Sequence, residues 1–295
     1  MKIKKFLRPF ILTYLLLSVA ISFYPSFNFY SFEGQSIVLS VSIFNGILGL
    51  YVKKIWKIMM ISYAHFLEFV VQNRWKSQSQ VSQDLFVFYF AKNQKNGFFI
   101  EIGACDGVKL SNTYMLEKVG WKGIICEPSK YWHMRIKKRN CMINKKAVFS
   151  ESGTKIKFDE FPTSPELSGF NKYLDNDDNK EIRSKGYKSE AFQTYDVETI
   201  TLNDLIAENT DKKSIDYISI DTEGSEYEII KNFDFDKYDV EMFTIEHKYI
   251  KEKRTKIYDL LIKNNYVRVF DNLSHWDDWY IKKDNSILKS LTNKK

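Results

Sequence analysis

The sequence predicts an α/β fold built on a parallel sheet. From residue 98 onward, short apolar runs of strand-forming residues alternate with helical patterns, as they do in parallel α/β proteins. The first run, 98–102, stops at a glycine turn, and a helical stretch follows, which is the strand–turn–helix order of such folds. The 295 residues suffice for one domain of ordinary size plus an extension.

Seven strands, with helices between them, are expected in chain order. The strands are expected at 98–102, 123–127, 142–148, 215–220, 241–246, 266–270 and 278–282. The helices are expected at 84–91, 111–119, 129–138, 201–208, 224–232 and 253–264. Residues 159–197 break this alternation because they are polar and contain two prolines, so we expect a long loop there.

The turn after the first strand has the composition of a ligand pocket. Gly103 and Gly107 are spaced G-x-x-x-G, so the dinucleotide signature G-x-G-x-x-G is absent. Gly103 would let a ligand touch the backbone, and the acidic residues Glu101 and Asp106 flank the turn. Acidic groups suit a cationic or hydroxyl-rich ligand better than a pyrophosphate. The pattern therefore predicts a small-ligand pocket, with an ordinary tight turn as the alternative.

The second strand ends at Glu127, directly before Pro128. A lone carboxylate at the end of a buried strand is costly unless something binds it. Its two oxygens can accept both hydroxyls of a ribose. Glu127 after the Gly103 turn is the arrangement that a nucleoside ligand needs, and a helix-capping acid is the alternative.

The fourth and fifth strands also end in polar residues. Asp221 and Glu223 follow the fourth strand, and Glu246 and His247 come at the end of the fifth. Carboxylates two residues apart can hold a divalent cation, or one of them can act as a base on a hydroxyl. His247 is a candidate general base because it lies at a strand end beside Asp221. The alternatives are acids that cap the following helix and a purely structural histidine.

The net charge of +7 is concentrated in the N-terminal third of the chain. Residues 1–97 hold 11 Lys+Arg against 3 Asp+Glu, whereas the remaining 198 residues hold 33 against 34. A nucleic-acid enzyme would carry this charge on its folded domain, so nucleic acid is not an expected partner. The three cysteines are odd in number and lack C-x-x-C spacing, so we expect reduced thiols in a cytosolic domain.

Two uncharged stretches precede the α/β pattern. We expect a membrane-associated segment at 1–75, with a helical hairpin formed by 6–24 and 37–52, and a folded domain at 76–295. Basic residues flank the pair of stretches and none lies between them, which predicts a membrane-anchored protein whose domain faces the cytoplasm. A cleaved signal peptide and an amphipathic helix at 37–71 on anionic lipid are the alternatives.

Five segments together resemble the FkbM-type S-adenosylmethionine-dependent methyltransferases. They are SQDLF at 82–86, EIGACDGVKLSNT at 101–113, GWKGIICEP at 120–128, IDYISIDTEGSE at 215–226 and TIEH at 244–247. The resemblance covers roughly residues 80–295 and does not extend to residues 1–75. It implies a Rossmann-like seven-stranded methyltransferase sheet with helices on both faces and an antiparallel last strand. It also implies methyl transfer, usually to a hydroxyl oxygen.

The resemblance further implies roles for individual residues. The methionine side of S-adenosylmethionine would be lined by Glu101, Gly103, Asp106 and Gly107. Glu127 would hold the ribose, and the segment 144–147, which includes Ala147, would border the adenine. Asp221 would lie nearest the transferring methyl group. One departure from the family pattern is Cys105, which stands where asparagine is common.

Methyl transfer is an in-line displacement that needs alignment and removal of the acceptor proton. We expect Asp221 or His247 to take that proton, and a divalent metal on Asp221, Glu223 and Glu246 is a further hypothesis. The expected acceptor is a small molecule or a glycan, such as a sugar of a lipid-linked glycan, and we interpret 159–197 as its lid or else as a solvated insertion. Two alternative functions remain: a membrane-anchored glycosyltransferase that binds a nucleotide sugar through a metal, and a non-catalytic scaffold.

Overall fold

The computed structural model describes residues 63–174 and 180–292. The strands in this part of the chain are β1 Phe98–Ile102, β2 Lys122–Cys126, β3 Met142–Asn144, β4 Ala147–Phe149, β5 Lys155–Glu160, β6 Gly169–Phe170, β7 Gln193–Thr201, β8 Ser214–Ile220, β9 Asp239–Glu246, β10 Tyr266–Val269 and β11 Asp277–Lys282. Residues 63–73 are helical, and the helices that follow them are α1 Gln83–Phe90, α2 Tyr114–Lys118, α3 Lys180–Gly186, α4 Leu202–Asn209, α5 Glu226–Ile230, α6 Lys251–Lys263 and α7 Ser286–Thr292.

Seven strands form the main sheet, in the order β10-β11-β9-β8-β1-β2-β3. The strands from β9 to β3 are parallel neighbours, whereas β11 is antiparallel to both β9 and β10. The predicted mixed α/β class with a seven-stranded sheet is therefore confirmed. The antiparallel strand is the last one in the chain, as the resemblance implied.

Helices cover both faces of this sheet because the side chains of a strand alternate between its two faces. Phe99 and Tyr217 are neighbours in register and pack with α1 and α2 on one face. Ile100 and Ile218 pack with α4, α5 and α6 on the other face. All five residues of β1 are buried, which explains why its apolar run is almost continuous.

Two predicted elements are wrong. The run 142–148 is not one strand: β3 pairs with β2, the Lys146 N–H then bonds to Asn144 Oδ1 in a turn, and β4 pairs with β7 outside the main sheet. The segment 129–138 is not an α-helix, because it forms consecutive turns that end in a short 3₁₀ helix at Ile136–Lys138.

The sequence predicts a long loop at 159–197, and this prediction is wrong. The segment contains α3, β6 and parts of β5 and β7, and it builds a second sheet in the order β4-β7-β5-β6. A small core of Ala147, Phe158, Phe170 and Val197 holds this sheet together. β7 alternates partly between exposed and buried residues, and its polar outward positions hid the strand from a composition-based prediction.

Residues Ile61–Lys295 form one compact unit, and residues 63–73 are helical. Phe66 in this helix is 1% exposed and stacks on Phe270, so the helix belongs to the folded unit although it precedes residue 76. The expected membrane hairpin, 6–24 and 37–52, lies outside the described residues. Among the residues that the structure describes, none of the helices combines the length and the hydropathy needed to cross a bilayer.

Candidate active site

A cavity of about 410 Å³ lies at the carboxyl ends of the main-sheet strands. Residues at the ends of β1, β2, β8 and β9 line it, together with residues of β4, β5 and β6. Small-molecule sites typically enclose about 300–1,000 Å³, so the cavity can hold a ligand of that class. Most of the predicted site residues line it: Glu101, Gly103, Glu127, Ala147, Asp221, Glu223 and Glu246.

Gly103 joins the ends of three strands. Its φ of +86° is left-handed, and a Cβ there would lie 1.7 Å from the Asp221 carbonyl oxygen, so glycine is required. The Gly103 N–H donates to the Cys126 carbonyl at 3.0 Å, and the Asp221 N–H donates to the Ile102 carbonyl at 3.0 Å. The glycine turn, the end of β2 and the end of β8 therefore lie side by side along one edge of the sheet.

Glu127 is a buried carboxylate at this edge, with 5% of the residue exposed. Oε2 accepts the Cys105 N–H and Oε1 accepts the Ser129 N–H, both at 2.8 Å. Across the described part of the chain, no lysine or arginine forms an ion pair with it. Burial raises its pKa to about 7, and the charges of Glu160 and Glu101 act in the same direction. Each oxygen can accept a second hydrogen bond, so Glu127 suits a ligand with two neighbouring hydroxyls.

Glu101 also lines the cavity, but the chain itself already binds its carboxylate. The Ser111 and Thr113 hydroxyls and the Asn112 N–H donate to it at 2.9, 2.6 and 2.6 Å. The buried Arg139 guanidinium lies 3.3 Å from it. Glu101 thus fixes the segment between the glycine turn and α2, and its predicted contact with a ligand stays a prediction.

Two predicted residues of the glycine turn lie outside the cavity wall. Asp106 Oδ1 accepts the N–H groups of Val108 and Lys109 at 2.8 and 2.7 Å, so this carboxylate closes the turn. Gly107 packs on Arg139, and its carbonyl accepts a hydrogen bond from that guanidinium at 2.8 Å. Both contacts stabilise the turn, and the cofactor contacts predicted for the two residues stay predictions.

His247 lies behind the cavity wall and is 1% exposed. Its Nδ1 accepts the Tyr249 N–H at 2.9 Å, and its Nε2 lies 3.7 Å from Asp278. Burial lowers its pKa to about 4. This geometry favours a structural role, and proton transfer by His247 stays a prediction.

Three carboxylates converge at the other end of the cavity. Asp221, Glu223 and Glu246 each offer an oxygen, and these oxygens lie within 4.8 Å of one another. Burial, followed by the charge of Glu223, raises the pKa of Asp221 to about 7. Burial, followed by the charge of Asp221, raises the pKa of Glu246 well above its ordinary value. Like charges at this distance oppose ionisation of all three groups together.

The sequence did not reveal the two cations that bind Glu223. Arg183 on α3 donates to Glu223 Oε2 at 2.5 Å, and Lys248 contacts the same oxygen. Arg183 also donates to the carbonyls of Leu167 and Leu174, so it ties the segment that was predicted to be a loop to the edge of the cavity. Because Arg183 lies 40 residues before Glu223 on a separate element, no local motif could have identified the pair.

Strained backbone is concentrated around the cavity. Five non-glycine residues that line it have left-handed φ angles: Cys105, Leu110, Glu223, Lys248 and Tyr249. Such conformations cost about 1–3 kcal/mol each and cluster at functional sites. Cys105 itself has a left-handed φ of +47°, a region that asparagine tolerates better than most other residues.

Comparisons with known proteins identify the family of this chain. Residues 101–279 match the methyltransferase FkbM domain. None of the curated proteins gives a significant match. Three chains of solved structures match, among them the precorrin-6y C5,15-methyltransferase from Geobacter metallireducens GS-15, which is 13% identical. That match covers 67% of this chain and 85% of the other, with a TM-score of 0.34, a value too low to support an argument. Because the domain match spans more than half of the sequence, the chain belongs to the FkbM methyltransferase family.

Proposed function

We propose that the protein is an S-adenosylmethionine-dependent methyltransferase that methylates a hydroxyl oxygen. The observation that carries the proposal is Glu127, a buried acid without a cationic partner in the described chain, at the same cavity edge as Gly103 and Asp221. A nucleoside ligand would satisfy the buried Glu127 carboxylate, because two ribose hydroxyls can donate hydrogen bonds to it.

The cavity residues fit S-adenosylmethionine in charge as well as in size. Glu127 would hold the ribose, Ala147 would border the adenine, and the turn at Gly103 would face the methionine part. The nearby carboxylates favour a positively charged sulfonium, and the described cavity wall has no phosphate-cradling glycine loop. When bound, S-adenosylmethionine supplies an electrophilic methyl group.

Asp221 is the best-placed proton acceptor among the predicted candidates. It lines the cavity directly after β8, beside Gly103, whereas His247 lies behind the wall. The chain's task in this reaction is to align the acceptor hydroxyl, to exclude water and to hold a carboxylate at the acceptor oxygen. On the acceptor side, the wall would come from the β6 end of the second sheet, where Gly169 lies beside Glu223.

The acceptor is proposed to be a sugar hydroxyl, or that of another small or lipid-linked molecule. Carboxylates that accept hydrogen bonds line the cavity together with the aromatic side chains of Tyr249 and Trp276. Polar groups combined with ring faces are typical of sites for polyhydroxylated ligands.

Membrane anchoring of the N-terminal segment is part of the proposal. Leu67, Val71 and Trp75 are 44%, 78% and 77% exposed, and their spacing of four residues lines them up along the segment that follows the uncharged stretches. Trp75 lies beside the Lys76 ammonium, a pairing suited to the boundary between headgroups and acyl chains.

Calorimetric titration of the full chain with S-adenosylmethionine and S-adenosylhomocysteine tests the proposed function. We expect saturable binding of both compounds at one site and weaker binding by Glu127→Ala. Binding of a nucleoside diphosphate sugar instead would indicate the glycosyltransferase, and binding of neither class would indicate a scaffold.

A further inference from the structure

We propose that Asp221, Glu223 and Glu246 bind one hard divalent cation, such as Mg²⁺, at the acceptor end of the cavity. The role of this cation in catalysis rests on the proposed function, whereas its binding does not. Nothing in the family match assigns a metal to this chain. The geometry points to it: three carboxylate oxygens from the ends of two adjacent strands, β8 and β9, lie within 4.8 Å of one another.

Glu246 provides an observation independent of this clustering. The residue is 5% exposed, and its Oε2 has no hydrogen-bond partner. A buried carboxylate oxygen without a donor is costly, and buried polar groups are normally satisfied. Glu246 lines the cavity beside Asp221, whose charge acts on it, so the unpartnered group belongs to the carboxylate cluster.

The charge balance of the cluster leaves a requirement for a cation. Arg183 and Lys248 both bind Glu223 Oε2, and Lys253 binds the neighbouring Glu226. Within the described residues, neither Asp221 nor Glu246 takes part in an ion pair. The charge of Lys248 acts on both acids, but it pairs with Glu223, and Asp221 and Glu246 still repel each other at the cavity.

The donor set selects the kind of cation. Carboxylate oxygens are hard ligands that suit Mg²⁺, Mn²⁺ and Ca²⁺ rather than zinc or copper. A site with few protein ligands also leaves coordination positions for water and for an oxygen of the acceptor. A cation held there would lower the pKa of a bound hydroxyl and would position the acceptor oxygen for the in-line reaction.

Protonation of Glu246 is the alternative to a bound cation, because it would also relieve the repulsion between Asp221 and Glu246. Binding of Mn²⁺ to the full chain, measured by electron paramagnetic resonance in the absence of S-adenosylmethionine, separates the two. We expect one saturable Mn²⁺ site that Mg²⁺ displaces. Loss of outer-shell partners costs metal sites about 10–100-fold in affinity, so loss of a direct ligand in Glu246→Gln should weaken binding at least about tenfold.

Glu166→Gln is the matched control, because Glu166 lines the same cavity on an exposed turn and lies outside the carboxylate cluster. It should leave Mn²⁺ affinity within about twofold of the wild type, a change of about 0.4 kcal/mol. Asp221→Asn provides a second ligand variant in case Glu246→Gln does not fold, and circular dichroism checks the fold of each.

Absence of saturable Mn²⁺ binding by the wild type, or equal binding by the wild type and both ligand variants, overturns the inference. Titration with S-adenosylhomocysteine in the presence of EDTA tests the proposed function separately. Nucleoside binding without Mn²⁺ binding refutes the metal site alone, and the reverse result refutes only the nucleoside assignment.

Discussion

The pH dependence of ligand binding should report directly on Glu127. Burial, which no ion pair within the described residues offsets, raises its pKa to about 7, although the Ser129 and Cys105 N–H groups that donate to it act in the opposite direction. The ionised form is the one that can accept two ribose hydroxyls as well as the two backbone N–H groups. Ligand affinity should therefore rise with pH through neutrality.

The magnitude follows from this pKa. A group with a pKa of about 7 is roughly one-tenth ionised at pH 6 and nine-tenths ionised at pH 8. The affinity for S-adenosylhomocysteine should therefore increase roughly tenfold over this range, and binding at pH 6.5 should release a proton.

The raised pKa of Glu127 also determines how the free energy of unfolding changes with pH. The folded-state pKa of Glu127 lies above its ordinary value of 4.5, so the folded state binds more protons than the unfolded state between these two pKa values. The contribution of this group is fully present below pH 4.5 and is lost as the pH rises through about 7. The full loss is about 3 kcal/mol, since one unit corresponds to about 1.4 kcal/mol.

Isothermal titration calorimetry of the full chain at pH 6, 7 and 8, in buffers of different ionisation enthalpy, measures both affinity and proton release. Glu127→Gln is the control, because Asp221 also has a pKa of about 7 and contributes its own pH dependence. The variant should lose the tenfold increase. A flat profile in the wild type, or the same slope in the variant, would show that ionisation of Glu127 does not control ligand binding.

Three further predictions concern the glycine joint, the insertion and the N-terminal helix. Gly103→Ala should lower the free energy of unfolding by more than Gly153→Ala does. Both glycines have a left-handed φ, but only at Gly103 would the added Cβ meet a backbone atom. Denaturant titration compares the two variants, and equal losses would contradict the predicted clash. Arg183→Met should cost about 1.5–3 kcal/mol by the same assay, since it removes a buried charged hydrogen bond from Glu223, which Lys248 still contacts; a loss below about 1 kcal/mol would show that the insertion is held by other contacts. Brominated anionic lipid should quench the fluorescence of the full chain more strongly than that of Trp75→Phe, and equal quenching would remove Trp75 from the interface.

Local sequence patterns predicted the parts of the fold that depend on local chemistry. The run 98–102 became a fully buried strand because its residues are almost all apolar, and the abrupt change at Gly103 marked the turn. Glu127 and Asp221 were brought together because the ends of parallel strands meet at one edge of a sheet. Such relations follow from the pattern of a few neighbouring residues.

Local sequence patterns could not predict interactions between residues that are distant in the chain. The strand β7 has polar outward positions, and the β4 residues with which it pairs lie 52 residues earlier, as in Ala147 and Thr199, so neither hydrophobicity nor spacing revealed the second sheet. The resemblance assigned Asp106 to the cofactor, and the structure adds that its Oδ1 accepts two N–H groups of its own turn. A carboxylate near a glycine turn can bind the turn, a ligand or both, so its charge alone did not reveal these backbone hydrogen bonds.

A crystal structure of the full chain with S-adenosylhomocysteine would show whether the cavity is a nucleoside site. We expect both ribose hydroxyls to donate to Glu127 and the sulfur to lie in the cavity between Gly103 and Asp221. A ligand bound outside this cavity, or a ribose that does not contact Glu127, would contradict this expectation.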